Sequence, residues 1–187
     1  LRTSCLGTFD FLANIEYFEN FKNSEINDEE FKMSKTSSKL IHQISAPNLR
    51  FAGYNGFTLV DGIHGSSNPF DGRWAGYTGA GLNAVIDLGK LQIIKNIGFD
   101  FLEEKGLSIY LPLNVVVEIS DDNRNFIRLI SYSQAELLQM KAGNIVKVYK
   151  ELSPISMRYI RIIATNQSPS IDDDGKTYTL IDEISAN

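Results

Sequence analysis

The feature that most constrains this chain is a succession of short apolar runs, each closed by a turn signal, from residue 57 to the end. Runs of strand type occupy residues 84–88, 93–102, 113–120, 126–132, 145–150, 157–164 and 178–185, after an earlier one that ends at Asp61. In the stretch 113–120 the residues Leu113, Val115, Val117 and Ile119 share one face, the period of two expected of a pleated strand. A turn at Asp121-Asp122-Asn123 follows, and asparagine tolerates the positive φ that a tight turn needs. Residues 134–140 read as a short helical turn. About eight strands with little helix between them predict an all-β fold, an antiparallel sandwich or barrel rather than alternating strand and helix.

The first 45 residues have a different texture. Phe11, Leu12, Ile15 and Phe18 stand at helical spacing behind a potential cap at Asp10, so residues 8–22 are expected to form an amphipathic helix. Residues 23–30 are acidic and polar, a linker or turn. Residues 31–45 have room for one or two short edge strands before Pro47 breaks the pattern. The expected division is therefore 1–45, a helix and linker, and 46–187, one β-domain.

Charge narrows the partners. A formal net charge of -5 and a sequence pI near 5.1 argue against nucleic acid, which needs a basic stripe, and against anionic membrane surfaces. No apolar run approaches the length of a transmembrane helix. The single cysteine, Cys5, allows no internal disulfide. It follows small residues near the start of the chain, loosely like a lipid-attachment cysteine, but no hydrophobic stretch precedes it.

Motifs for catalysis are sparse. The two histidines, His42 and His64, lack neighbouring cysteine or histidine at a zinc-ligand spacing. There is no nucleophile-elbow G-x-S-x-G, and the glycines from Gly76 to Gly81 open no helix. Glu103-Glu104 are expected to be solvated acids at a strand end. Asp172-Asp173-Asp174-Gly175 fails as a helix-loop-helix calcium site, because Ile181 falls where the bidentate glutamate belongs. A different calcium site has the right chemistry. Asp61 at the end of an early strand and Asp182-Glu183 in the last one would converge in a sandwich, with carbonyls near Ile63 and His64 and the Ser66 hydroxyl completing an oxygen shell. The alternative is that these are ordinary solvated acids.

The long segment 57–89 carries Phe70, Trp74 and Tyr77, more aromatics than a disordered loop holds. It is expected to be ordered, pinned at its start by Asp61 and in its middle by Trp74. Three of its pieces stand in a telling order: Leu59-Val60-Asp61-Gly62-Ile63, then Trp74-Ala75-Gly76-Tyr77, then Ala84-Val85-Ile86-Asp87-Leu88-Gly89. Leu111-Pro112, the run Val115-Val116-Val117-Glu118-Ile119-Ser120, Arg158-Tyr159-Ile160-Arg161-Ile162 and Ile181-Asp182-Glu183-Ile184 follow. Over residues 46–187 this set resembles the coagulation factor C-domain, or discoidin, family. It is most similar to the family 32 carbohydrate-binding modules at the C-terminal end of bacterial hexosaminidase-like glycoside hydrolases. Residues 31–41 resemble the last strand of the small β-domain that precedes such modules.

The resemblance implies an eight-stranded jelly-roll sandwich with a structural Ca2+ held by Asp61, Ser66 and Glu183. It also implies sugar binding by loops at one end, where a sugar needs a ring to stack on and planar polar groups around it. The loop 48–56 offers Arg50, Tyr54 and Asn55; the long loop offers Asn68, Phe70, Asp71, Arg73 and Tyr77. Glu103, Glu104 and Tyr110, then Asp172 to Lys176 and Tyr178, come from two more loops. The residues expected to bind sugar are Tyr54, Asn55, Arg73, Tyr77, Tyr110, Asp173 and Tyr178. The expected function is a non-catalytic, extracytoplasmic module, whether periplasmic, secreted or an outer-membrane lipoprotein. It would recognise terminal galactose- or hexosamine-type glycans and pack against neighbouring domains of a parent enzyme. Two other readings compete: a structural or protein-interaction domain with no sugar site, and a free-standing hydrolase using Glu103 or Asp173.

Overall fold

Two long bent strands carry the architecture. The computed structural model describes residues 40–43, 45–53, 58–167 and 176–187. Among these, eight strands form one continuous antiparallel system: β1 (Leu40–Gln43), β2 (Ala75–Tyr77), β3 (Gly81–Leu102), β4 (Asn114–Ser120), β5 (Ile127–Ser133), β6 (Lys141–Ala142), β7 (Ile145–Thr165) and β8 (Thr179–Ala186). The two longest pair from Gly81↔Thr165 to Leu102↔Ile145, with register breaks between Asp87 and Gln92 and between Ile94 and Asn96. At these breaks the ribbon bends, as bulged strands do. The first half of β3 pairs with β1 on its other side, and the second half of β7 pairs with β4, which pairs with β5. The second half of β3 pairs with β8, and β8 with β2, while β6 extends the first half of β7. Each long strand thus serves both layers of the expected sandwich.

The eight-strand, all-β expectation holds, with different boundaries. The runs 84–88 and 93–102 are one strand, as are 145–150 and 157–164, because the chain bends at Gly89 (φ +81°) and near Pro154 without leaving the ladder. Residues 58–62 form turns and bends instead of an early strand ending at Asp61. A ladder-like bond runs there from the Ile184 N–H to the Leu59 carbonyl at 2.7 Å. Leu40–Gln43 belongs to the main sheet, so the β-domain begins ahead of residue 46. The expected helix at 8–22 lies outside the described residues. The turn after β4 is as expected: Asn123 has φ +59°, and Ser120 and Asp122 accept the loop's N–H groups. The helix Gln134–Gln139 is closed by a capping box between Ser133 and Glu136.

Alternation fills the space between the layers. Val115, Val117 and Ile119 from β4 meet Ile160, Ile162 and Ala164 from β7 and Phe99 from β3, all buried. A second, smaller apolar cluster lies toward one end, built from Phe51, Trp74, Leu102, Ile109, Tyr178 and Leu180. This second cluster supports the loops described next.

Candidate functional site

The loop from Asp61 to Trp74 has no regular structure, yet its backbone is satisfied locally. Asp61 Oδ1 accepts the Ile63 N–H at 2.9 Å, Asn68 Oδ1 the Phe70 N–H at 3.0 Å, and Asp71 Oδ1 the Arg73 N–H at 2.9 Å. These are Asx turns, in which a short side chain replaces a backbone acceptor. Asp71 Oδ2 also takes the Ser66 N–H at 2.7 Å, closing the loop on itself. The Trp74 indole is buried and donates to the Ser66 carbonyl at 3.0 Å. Its ring lies so close to Gly65 that a Cβ there would collide with it. The sequence reading of an ordered loop pinned by Trp74 matches this geometry.

The loop is tethered to the last strand by two successive acids. Glu183 Oε2 accepts the Gly62 N–H at 2.7 Å, and Asp182 Oδ2 accepts the Gly65 N–H at 2.6 Å. Neighbours on a regular strand point to opposite faces. Here both reach the same loop, because the register between β3 and β8 slips from Phe99↔Ile184 to Phe101↔Ile181. The slip places Asp100 opposite the two acids, so three carboxylates, all more than nine-tenths buried, gather at one bulge. His64 Nδ1 lies 3.3 Å from Asp100 Oδ2 and 3.6 Å from Asp182 Oδ2. Burial pushes the Asp182 carboxyl up to about 8, and the Asp100 and Glu183 charges push the same way against the Gly65 hydrogen bond. Burial also raises Asp61 and Asp100.

A different surface lies over the second apolar cluster. Phe51 stacks on Phe70, with centroids 5.4 Å apart and planes at 26°, and meets Tyr178 edge-on at 5.1 Å. The Arg50 guanidinium lies 5.2 Å from the Phe51 centroid, 5.8 Å from Phe70 and 5.7 Å from Tyr178. Phe51 and Tyr178 are buried, whereas Arg50 is exposed and Phe70 keeps 48% of its surface. The result is an accessible aromatic face flanked by a planar cation, held on a packed base.

The expected sugar-binding residues separate. Tyr178 is in this cluster, and Tyr110 is joined to it by backbone, its N–H donating to the Tyr178 carbonyl at 2.9 Å. Arg73 is exposed on the outer loop, where its charge favours the ionised form of Asp61. Tyr77 does not belong to a surface site. It is fully buried in β2, its ring is in the main core, and burial raises its hydroxyl strongly. Tyr54, Asn55 and Asp173 lie outside the described residues. Glu103 corrects another expectation. It is buried rather than solvated, and it forms an ion pair with Lys141 and lies 3.8 Å from Lys105 Nζ. Arg50 and Phe70 were among the loop residues the sequence offered but stood outside the seven expected to bind sugar, and Asp100 was missed. The available signal for Asp100 was an acid in the middle of the apolar run Gly98-Phe99-Asp100-Phe101-Leu102.

Comparison with known proteins bears on the fold. A first carbohydrate-binding module of family 32 from a family 31 glycoside hydrolase of Clostridium perfringens superposes with a TM-score of 0.53 at 13% identity. That match covers 80% of this chain and 93% of the module. The second such module of a family 31 enzyme, solved with GalNAc, gives 0.54 at 13% identity over 79% and 95%. A fucose-binding module of Streptococcus pneumoniae gives 0.52 at 17% identity over 80% and 90%. No curated protein matches. The F5/8 type C domain family matches residues 34–184, most of the chain and nearly all of the described sandwich. The chain therefore belongs to the F5/8 type C domain family.

Proposed function

We propose that this chain is a non-catalytic carbohydrate-binding module that holds a glycan against Phe70 and Arg50, above Phe51 and Tyr178. The observation that carries this reading is the exposed Phe70 ring, with a guanidinium beside it and a rigid aromatic base beneath. A pyranose offers a C–H face to such a ring and hydroxyls to the guanidinium. Solved neighbours of the same fold named for GalNAc and fucose support the ligand class. A terminal galactose- or hexosamine-type sugar is the proposed ligand. Tyr110 borders the site through its backbone bond to Tyr178, and Arg73 serves the outer loop. The burial of Glu103 and its pairing with Lys141 support a non-catalytic role, because a buried, paired carboxylate is not presented to a glycosidic bond. Attachment to a parent glycoside hydrolase and an extracytoplasmic setting are part of this proposal. Among the described residues, no helix is long and apolar enough to cross a membrane.

The proposal includes a structural Ca2+ held by Asp61, Ser66 and Glu183. The donors present fit: a buried glutamate and a half-buried aspartate flank the backbone of Gly62, and Ser66 adds a hydroxyl. Hard oxygen donors of this kind are what calcium takes. The ion would neutralise acids whose burial otherwise opposes their charge, and would fix the loop that already hangs on Glu183 through Gly62. A second reading, protein docking, rests on Leu49. It is 88% exposed beside Arg50 and widens the apolar surface beyond what a single sugar covers.

A glycan-array screen of the intact chain with calcium, followed by calorimetry on each hit, tests the proposal. A hit weakened by both Phe70→Ala and Arg50→Ala supports the site. A hit that neither variant affects removes the site, and a blank at millimolar sugar removes the function in favour of protein docking.

A further inference from the structure

The bulge where β3 meets β8 has a property that sugar binding does not use. Asp100 and Asp182 face each other there with His64 laid over them, and the ligand-capable atoms of all three lie within 4.8 Å of one another. Asp182 is fully buried; the Asp100 backbone N–H favours its ionised form, yet its Oδ1 makes no well-aligned hydrogen bond among the described residues. Asp100 is nearly as buried, and its Oδ2, the oxygen nearest His64, likewise meets no well-aligned donor. The nearest lysine, Lys147, has its Nζ 3.9 Å from that oxygen and a largely exposed side chain. An unsatisfied buried carboxylate oxygen is costly, and two side by side are more so.

We infer that His64 Nδ1, Asp100 and Asp182 form a binding site for one zinc-like transition-metal dication. Donors around a tetrahedral zinc, at bond lengths near 2.0–2.1 Å, stand roughly 3.4 Å apart. His64 Nδ1 lies 3.3 Å from Asp100 Oδ2 and 3.6 Å from Asp182 Oδ2, on either side of that separation. One nitrogen with two carboxylates is the mixed donor set that zinc accepts, whereas calcium prefers oxygen alone. The half-exposed His64 side chain leaves a path for entry and a fourth position for water. The Gly65 N–H on Asp182 Oδ2 orients that carboxylate, as outer hydrogen bonds do at metal centres. The site uses side chains other than those of the proposed calcium set, Asp61, Ser66 and Glu183, and it does not depend on the sugar reading. Its metal would clamp the 61–74 loop to β3 and β8 together.

The test is zinc titration of the intact chain, calcium-saturated and free of chelator, read by calorimetry and by thermal unfolding. Cobalt is substituted to report geometry through its visible absorption. The expected result is one equivalent of zinc, a higher Tm in its presence, and the intense absorption of a tetrahedral cobalt ion. His64→Ala alters a half-exposed side chain and should leave the metal-free fold unchanged. It should weaken zinc by at least about tenfold, given that even outer-shell changes cost that much, and should remove the zinc-dependent rise in Tm. Asp100→Asn should weaken zinc in the same way. No zinc uptake by the unaltered chain would overturn the inference. So would uptake that His64→Ala leaves intact, which would put the ion at another donor such as Cys5 or His42.

Discussion

Asp87 and Arg158 form a two-pronged ion pair across the β3–β7 ribbon, with Arg158 Nε to Asp87 Oδ1 and Nη2 to Oδ2 both at 2.9 Å. The matching planes of guanidinium and carboxylate make this the best-formed surface pair described. It lies at the edge of the first register break in the ribbon.

The hydrogen bonds from Arg158 hold the Asp87 carboxyl below the usual carboxylate range. Its folded pKa is therefore lower than its unfolded one. The stability it contributes is complete above the unfolded value, near 3.9, and disappears as pH falls through the folded value. Because Arg158 is 39% exposed, solvent screens the pair and keeps its contribution small. Asp87→Asn should lower Tm slightly at pH 7 and flatten the acid limb of stability below pH 4. Urea melts from pH 7 to pH 2 check both, and an unchanged acid limb would contradict the assignment.

Gly65→Ala should be far more disruptive than its size suggests. The added methyl meets the Trp74 indole, and neither the buried ring nor the tethered backbone has room to retreat. The expected cost is about 1–3 kcal/mol. Gly106→Ala is the control. Its Cβ would touch only the end of Glu104, so it should stay within about 0.5 kcal/mol. Denaturant midpoints of the two variants give the comparison.

Calcium should stabilise the fold. At a hundredfold excess over its Kd, an ion bound only by the native state adds about 2.7 kcal/mol. Adding calcium to chelator-treated protein should raise Tm by several degrees. Asp61→Ala should abolish the rise while leaving the chain folded, as followed by circular dichroism.

Sugar affinity should be weak, with Kd on the order of 0.1–1 mM, because a small exposed sugar buries little area. Phe70→Ala should reduce it by about tenfold, and Tyr77→Phe should leave it unchanged, since Tyr77 faces the core. Calorimetry against the best array hit measures both.

The layers of the fold were legible because alternation was regular. Val115, Val117 and Ile119 point inward as their spacing requires, whereas Leu113, from the same alternating set, is exposed just before β4 begins. The bends were not legible, because a glycine that ends a strand and one that turns it leave the same trace in the sequence. Tyr77 looked available in a polar loop, but it stands in a three-residue strand paired to β8 and buried throughout. For His64, spacing rules search the neighbourhood along the chain. Its partners Asp100 and Asp182 come from distant strands and meet only through a register slip.

The shared course of β3 and β7 through both layers has a mechanical consequence. In a sandwich whose layers are joined only by loops, one layer can fray while the other stands. Here a shift of one residue at Leu102↔Ile145 would be transmitted along the ribbon toward Gly81↔Thr165. The ribbon acts as a common spine, so the two layers should exchange their amide hydrogens and unfold as a single cooperative unit.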